Sequence, residues 1–379
     1  MRICMINVTF GGMSGGYRNY LSSLVPRLAA HPEVEALLVG VPQSVGLSQS
    51  TTASGSVQWL PLRRSASLVR GGLTGSEREA IAGFKPDVLF IPTSRFCSFK
   101  GVPVVNMVRN MMPMTPHNSR YCLERLRNWA RFLQMKHAVF QADRVIAISQ
   151  FVKDYLTHDL GLPEGRVGVV YHGTTLDSDA PMQKPAVVGE DWPDRFFFTA
   201  GLIYPYRGLE DLLDAWHELR RVPDLPSLVI AGKVGQGMSG YYARLRRVVQ
   251  ERNLESRVHF AGLLDRSEMM WCYRKCLAFV MTSRVEACPN IALEAMSNGC
   301  LCISTKNPPL PEMFSNAAWY YSAGDSRVLA ERICDVLHLP VDGQEAARSR
   351  AFSRAGEFSW DTCCHRTVEE LKKAIGSAN

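Results

Sequence analysis

Apolar runs of strand length recur along this chain without the polar alternation of a half-exposed sheet, and a longer amphipathic stretch follows many of them. Ile3–Val8, Ala36–Val41, Val88–Ile91, Val102–Val108, Arg144–Ile148 and Val167–Val170 are such runs, with helix-length stretches at Tyr17–Ala30, Ser76–Phe84 and Tyr121–Ala142. A strand that is apolar on both faces needs cover on both, and parallel sheets receive it from their crossover helices. The rhythm predicts a doubly wound α/β domain. It breaks once, at Asp177–Asp194 (DSDAPMQKPAVVGEDWPD), where three prolines and no periodicity read as a linker. It then restarts, with strands expected at Phe196–Ala200, Ser227–Ala231, Val258–Phe260, Leu277–Met281, Leu301–Ser304 and Ala318–Tyr321. The expected organisation is an N-terminal Rossmann-like domain over 1–177, a linker over 178–194, a C-terminal Rossmann-like domain over 195–358, and a closing helix over 359–379.

Two domains suit 379 residues. With 46% hydrophobic and 21% charged residues the chain is neither disordered nor fibrous. No apolar run approaches the ~20 residues of a membrane span, and the opening MRICMINVTFGG reads as a first strand, not a secretory signal. A net charge of +7 is low for a nucleic-acid binder and fits anionic small molecules or an anionic lipid surface. Eleven cysteines, without repeated CxxC or zinc-like spacing, read as reduced and mostly buried thiols of a cytoplasmic protein. Asp177-Ser178-Asp179 has the form of a D-x-D metal motif but falls in the linker, so no metal is expected.

The segment that carries most chemistry is Thr282–Gly299 (TSRVEACPNIALEAMSNG), which leaves a strand, enters a helix near Pro289 and Asn290 and stops at a glycine. Glu286 lies before the helix and Glu294 about one turn inside it. Free N–H groups at a helix start suit a diphosphate. Carboxylates on either side suit the hydroxyls of two sugars, since an ionised carboxylate only accepts hydrogen bonds. The alternative is two solvated glutamates.

With these residues in view, the chain resembles the retaining glycosyltransferases of family 4, which have the GT-B fold of two facing Rossmann-like domains. The E-x7-E segment carries the resemblance, together with Phe198–Glu210 (FTAGLIYPYRGLE), Val169–Thr174 (VVYHGT), Ala142–Val152 (ADRVIAISQFV) and Phe358-Ser359-Trp360 before a helix. The resemblance implies a nucleotide-sugar donor, no metal cofactor, and a last helix, over 359–379, that packs back on the N-terminal domain. It places Glu286 at the donor sugar near the reacting carbon, Glu294 at the ribose, and backbone N–H groups around Cys288, Asn290 and Ile291 at the diphosphate. It makes Arg207 the cation that stabilises the leaving diphosphate, beside Gly201, with Lys233 as a second charge or a snorkelling side chain. Where the family usually has an arginine after the glycine, this chain has Leu202.

The loop Thr9–Tyr17 (TFGGMSGGY) resembles the family's glycine-rich turn and puts Gly12, Gly15 and Gly16 at the diphosphate and acceptor; a plain tight turn is the alternative. A histidine often follows the strand near residue 105 in the family. Here the stretch is NMVRNMMP, with Asn110 as the substitute and Arg109 facing an anionic acceptor. Cys288 near a helix start is expected to be a reactive thiol. Arg120–Lys136 interleaves basic residues with Leu126, Trp129, Phe132 and Leu133. It reads either as an ordinary half-buried helix or as contact with a membrane or lipid-linked acceptor at the inner face of the plasma membrane. The expected partners are a nucleotide-sugar donor and a glycan or lipid-linked acceptor, with no nucleic acid. The rival readings are a nucleotide-sugar epimerase, a polymerase on the same fold, and a binding protein without transferase activity.

Overall fold

The structure, a computed structural model, describes residues 1–7, 15–42, 57–63, 72–112, 122–175, 181–186 and 192–378. Its described residues fall into two compact units. One takes the chain up to Gly173 and again from Ser359, the other Thr174–Phe358.

The first unit is built on β1 (Arg2–Ile6), β2 (Ala36–Pro42), β3 (Val57–Leu62), β4 (Val88–Ile91), β5 (Val104–Val108), β6 (Arg144–Ala147) and β7 (Val167–Val169), with α1 (Gly15–Ala30), α2 (Gly75–Phe84), α3 (Cys122–Gln141) and α4 (Gln150–Asp154). Its seven strands lie in the order β3-β2-β1-β4-β5-β6-β7, all parallel. The order reverses between β1 and β4, where Cys4 sits beside Leu38 on one side and Leu89 on the other. Local chemistry starts the helices: Thr74 and Glu77 form a reciprocal capping box on α2, and Ser149 Oγ accepts from Val152 N–H on α4.

The second unit holds β8 (Phe196–Ala200), α5 (Leu209–Glu218), β9 (Ser227–Ala231), α6 (Ser239–Glu251), β10 (Val258–Gly262), α7 (Arg266–Lys275), β11 (Phe279–Met281), α8 (Asn290–Ser297), β12 (Cys302–Thr305), α9 (Leu310–Phe314), β13 (Ala318–Tyr321), α10 (Ser326–Leu337) and α11 (Val341–Gly356). The strand order is β10-β9-β8-β11-β12-β13, again parallel. Counted from β8 this is the 3-2-1-4-5-6 order of a dinucleotide-binding sheet. Phe197, Leu228, Ile230, Val280 and Ile303 of its strands pack with Leu212, Leu213 and Trp216 of α5 in one buried core.

The last helix, α12 (Trp360–Ala378), belongs to the first unit. Trp360, Cys363, Cys364, Val368 and Leu371 are buried on it. Arg144 of β6 donates from Nε to Glu370 Oε2 at 2.8 Å, and both side chains are largely shielded from water. The His172, Tyr20 and Trp360 rings form a triangle, with His172 4.9 Å from Tyr20 and 6.1 Å from Trp360 between centroids. A side chain at Gly173 would collide with the Trp360 backbone. The VVYHGT turn and the FSW segment therefore meet in packing.

Four elements were not expected from the sequence: the five-residue helices α4 and α9, and β3 and α11. β3 carries Pro61, which reads against a strand; as the sheet's edge it tolerates a residue that cannot donate. α11, alanine- and arginine-rich, buries Ala347, Ala351 and Ala355, a stripe too small to mark a helix by hydrophobicity. The Asp177-Ser178-Asp179 triplet lies outside the described residues.

Candidate functional site

The switch point of the second sheet lies between β8 and β11, and the loops leaving these strands carry the residues singled out above. After β8 the chain turns at Gly201, which holds φ +133. Gly232, after β9, holds φ +145, and any Cβ there would strike the Gly201 carbonyl oxygen. The Gly201 and Gly232 N–H groups donate to Ala231 O and Gly262 O. The Arg207 side chain packs directly on Gly201, its guanidinium carbon only 2.9 Å from where a Cβ would stand.

Arg207 reaches from the β8 loop to the β11 loop. Its Nη1 donates to Glu286 Oε1 at 2.6 Å and to Ser283 Oγ at 3.1 Å. Both partners are mostly withdrawn from water, at 16% and 13% side-chain exposure. The guanidinium also lies over the Tyr206 ring, 5.3 Å from its centroid, while its Nε is buried with no hydrogen-bond partner among the described residues. The two residues that the sequence reading assigned to diphosphate and sugar thus contact each other directly.

A second layer clamps the loops. Thr282 Oγ1 donates to Arg207 O at 2.6 Å, and Arg284 N–H donates to Tyr206 O at 2.7 Å. Arg284 Nη2 meets Asp211 Oδ1 at 2.7 Å, and Asp211 Oδ2 accepts from Gly324 N–H and the Tyr321 hydroxyl. Burial pushes the Asp211 carboxyl up, with the Gly324 N–H and Arg284 pulling it part of the way back. Sequence reasoning gave Asp211, Arg284 and Tyr206 no role. The signal available was an aspartate next to the apolar positions Leu212 and Leu213 at a helix start, LEDLLDAW.

Helix α8 begins at Asn290, with Pro289 in the capping position and no side-chain cap. Asn290 is therefore the first helical residue and not the cap, and Ile291 follows it, half-buried. Pro289 has no polar side chain with which to cap the helix start itself. Glu294 stands one turn in, and its Oε2 accepts from the Tyr273 hydroxyl of α7 at 3.1 Å. Burial raises the Glu294 carboxyl above its ordinary range; the Tyr273 hydroxyl and Arg266 offset part of that. Cys288 departs from expectation. The residue is 8% exposed and its Sγ lies 3.9 Å from Met313 Sδ, so the thiol is largely shielded from solvent reagents.

Lys233 is exposed beside Gly232, its carbonyl accepting from Ile203 N–H, and Leu202 is 39% exposed. The remaining candidates belong to the first unit. Gly15 and Gly16 open α1, and Gly12 lies outside the described residues. Asn110 is exposed, its Oδ1 accepting from Met112 N–H at 2.9 Å. Arg109 donates from Nε to Pro92 O at 2.7 Å and lies 3.5 Å over the Tyr17 ring; burial pulls its guanidinium below the usual range.

Residues 183–355 match the family model described as Glycosyl transferases group 1, and residues 14–178 the model described as Glycosyltransferase Family 4. The serotype-specific mannosyltransferase WbdA of Escherichia coli is 24% identical over 267 residues, 66% of this chain and 31% of that protein. The chain thus spans about a third of that relative. The O-antigen chain mannosyltransferase RfbU of Salmonella typhimurium is 21% identical over 55% of each chain. Among solved structures, HepE of Anabaena in complex with UDP-glucose superposes with a TM-score of 0.74 at 17% identity, over 98% of this chain and 100% of that one. Sucrose-phosphate synthase of Thermosynechococcus elongatus reaches 0.78 at 18% identity over 99% of both.

Proposed function

We propose, for a chain that belongs to the group 1 glycosyltransferases of family 4 and has their GT-B fold, that it moves a sugar from a UDP- or GDP-linked donor to a hydroxyl of a glycan or lipid-linked acceptor with retention at the anomeric carbon. The observation that carries this reading is the Arg207–Glu286 pair at the switch point of the second sheet, with Glu294 one turn inside α8. The α8 start and a guanidinium together form a preorganised positive field for a diphosphate, with no metal required. Glu286 accepts hydrogen bonds from the donor sugar's hydroxyls and Glu294 from those of the ribose.

In the reaction the bond from the anomeric carbon to the diphosphate oxygen breaks, and the acceptor oxygen bonds to that carbon from the same face. The acceptor proton passes to the departing diphosphate. Arg207 and the α8 start stabilise the negative charge that builds on the leaving group. RfbU's printed role as an O-antigen chain mannosyltransferase favours a cell-surface polysaccharide made on the cytoplasmic side. HepE's complex with UDP-glucose favours a uridine donor, whereas the mannosyltransferases leave a GDP-linked one open.

Thermal unfolding against UDP, GDP, TDP and ADP, each with and without EDTA, tests the reading. A ligand that binds only the native state stabilises it by about 2.7 kcal/mol at a hundredfold excess over its Kd. One nucleotide raising Tm equally with and without EDTA is the expected result. A shift with none of them would favour a binding-incompetent relative of the family.

A further inference from the structure

The first unit sorts its charges by sheet edge. Five carboxylates stand where strands begin: Glu33 and Glu35 before β2, Asp87 before β4, Asp143 before β6 and Glu164 before β7. Each accepts from an N–H group or a cation, on Arg2, Val104, Lys153 or Lys372. The edge where strands end is different. Residues 1–32 and 88–123 contain no Asp or Glu, and these runs include the connections that leave β1, β4 and β5. Arg109 stands directly after β5 on that acid-free edge. Its Nε donates to Pro92 O at 2.7 Å, and its guanidinium lies 3.5 Å from the centre of the Tyr17 ring, in the first turn of α1. Both partners are neutral. The side chain is half-buried, and burial lowers its guanidinium. Its Nη1 and Nη2 meet no acceptor among the described residues. By contrast Arg2, Arg27 and Arg144 of the same unit meet Glu35, Asp361 and Glu370.

We propose that Arg109 binds an oxyanion, a phosphate or a carboxylate, carried by the acceptor sugar. That the sugar is an acceptor rests on the transferase reading; that it is charged rests on Arg109 and its surroundings. A guanidinium held at Nε presents its two Nη groups as a planar fork, which matches two oxygens of either group. The interaction is stronger where the cation is partly withdrawn from water, because screening there is weaker. Tyr17 supports the plane of the fork and sets the anion at the positive end of α1, whose first turn carries no acid. No carboxylate of the connections after β1, β4 and β5 can neutralise Arg109 in the ligand's place, since they have none. A neutral sugar hydroxyl would leave the cation uncompensated.

The test is isothermal titration of the full chain with glucose, glucose 6-phosphate, glucuronate and inorganic phosphate, repeated on Arg109→Gln and Arg109→Lys. Glucose 6-phosphate or glucuronate binding more tightly than glucose is expected, and the tighter of the two names the group. Arg109→Gln is expected to weaken that charged sugar by about 10–100-fold, the range for a hydrogen bond to a charged group, and to leave the nucleotide response unchanged. Arg109→Lys, which keeps the charge but not the fork, should recover part of the loss. Circular dichroism checks the fold; should the Gln variant lose it, the Lys variant decides, since loss of the fork weakens an oxyanion and not glucose. Charged and neutral sugars binding alike, no charged sugar binding, or indifference to both variants overturns the proposal. Inorganic phosphate binding as tightly as either charged sugar overturns the assignment to an acceptor. So does a nucleotide response that Arg109→Gln abolishes, which would give the cation to the donor. Failure of the transferase reading shows separately, as no nucleotide response in the unsubstituted chain.

Discussion

Shielded from water, Arg207 and Glu286 constrain each other more than either constrains the backbone. Removing one partner leaves the other charged and poorly hydrated, a loss of up to about 3–5 kcal/mol for buried pairs. Arg207→Ala and Glu286→Ala are each expected to lower stability in denaturant titration, while Arg207→Met with Glu286→Gln recovers part of the loss. Turnover should not recover: each single variant and the double are expected to lose about 10²–10³ in kcat, the scale of removing one transition-state donor. Glu294 makes a prediction in pH. Its folded-state pKa is raised, so the proton is held more tightly native than unfolded. The group's contribution is then full below its unfolded value of ~4.3 and is lost as pH rises through the folded one. At neutral pH, Glu294→Gln is therefore expected to stabilise the ligand-free protein slightly. If ribose hydroxyls donate to the carboxylate, nucleotide affinity in isothermal titration should fall as pH drops through that raised pKa, and the Gln variant should lack the dependence. At this scale the sequence showed residue types but not partners. Arg207 and Glu286 were legible as site chemistry, yet their contact spans 79 positions. Tyr273, 21 positions before Glu294, was indistinguishable from any core aromatic.

Elements were more legible, because periodicity is local. The strands and helices singled out from apolar rhythm are present, while β3 and α11 were hidden by an edge proline and by alanines. The glycines at the strand ends work as a unit: Gly201 and Gly232 let two loops lie against each other closely enough to seat Arg207. Gly232→Ala is expected to cost about 1–3 kcal/mol from backbone strain alone. The collision with the Gly201 carbonyl adds to that, so the variant should melt earlier and lose nucleotide binding, which paired unfolding and titration measurements would show. The α3 stripe marks the limit of periodicity. The pattern announced an amphipathic helix, but Leu126, Trp129 and Leu133 face outward, because the core took the side carrying Asn128 and Met135.

At the scale of the whole molecule, the doubled α/β rhythm was visible because each half repeats it independently. The return of the last helix to the first unit was not visible in periodicity and came only from family resemblance. That helix brings Trp360, Val368 and Leu371 into the first unit's core and Glu370 against Arg144. Trp360→Ala is expected to lower the first unit's stability by about 3–5 kcal/mol. Calorimetry should then resolve an early transition for that unit while the second unit's transition stays in place; a single unshifted transition would contradict the packing role.

Arg144 and Glu370 are 226 positions apart. At about 5–20 residues per second, a ribosome finishes Glu370 roughly 10–45 s after Arg144. For that interval β6 and its neighbours wait beside an uncompensated cation and an uncovered apolar seat. The described residues of the second unit come from the single run Thr174–Phe358. Order of encoding and order of completion are thus reversed: the half that emerges first is the half that finishes last, and it is the one that needs shelter in the meantime.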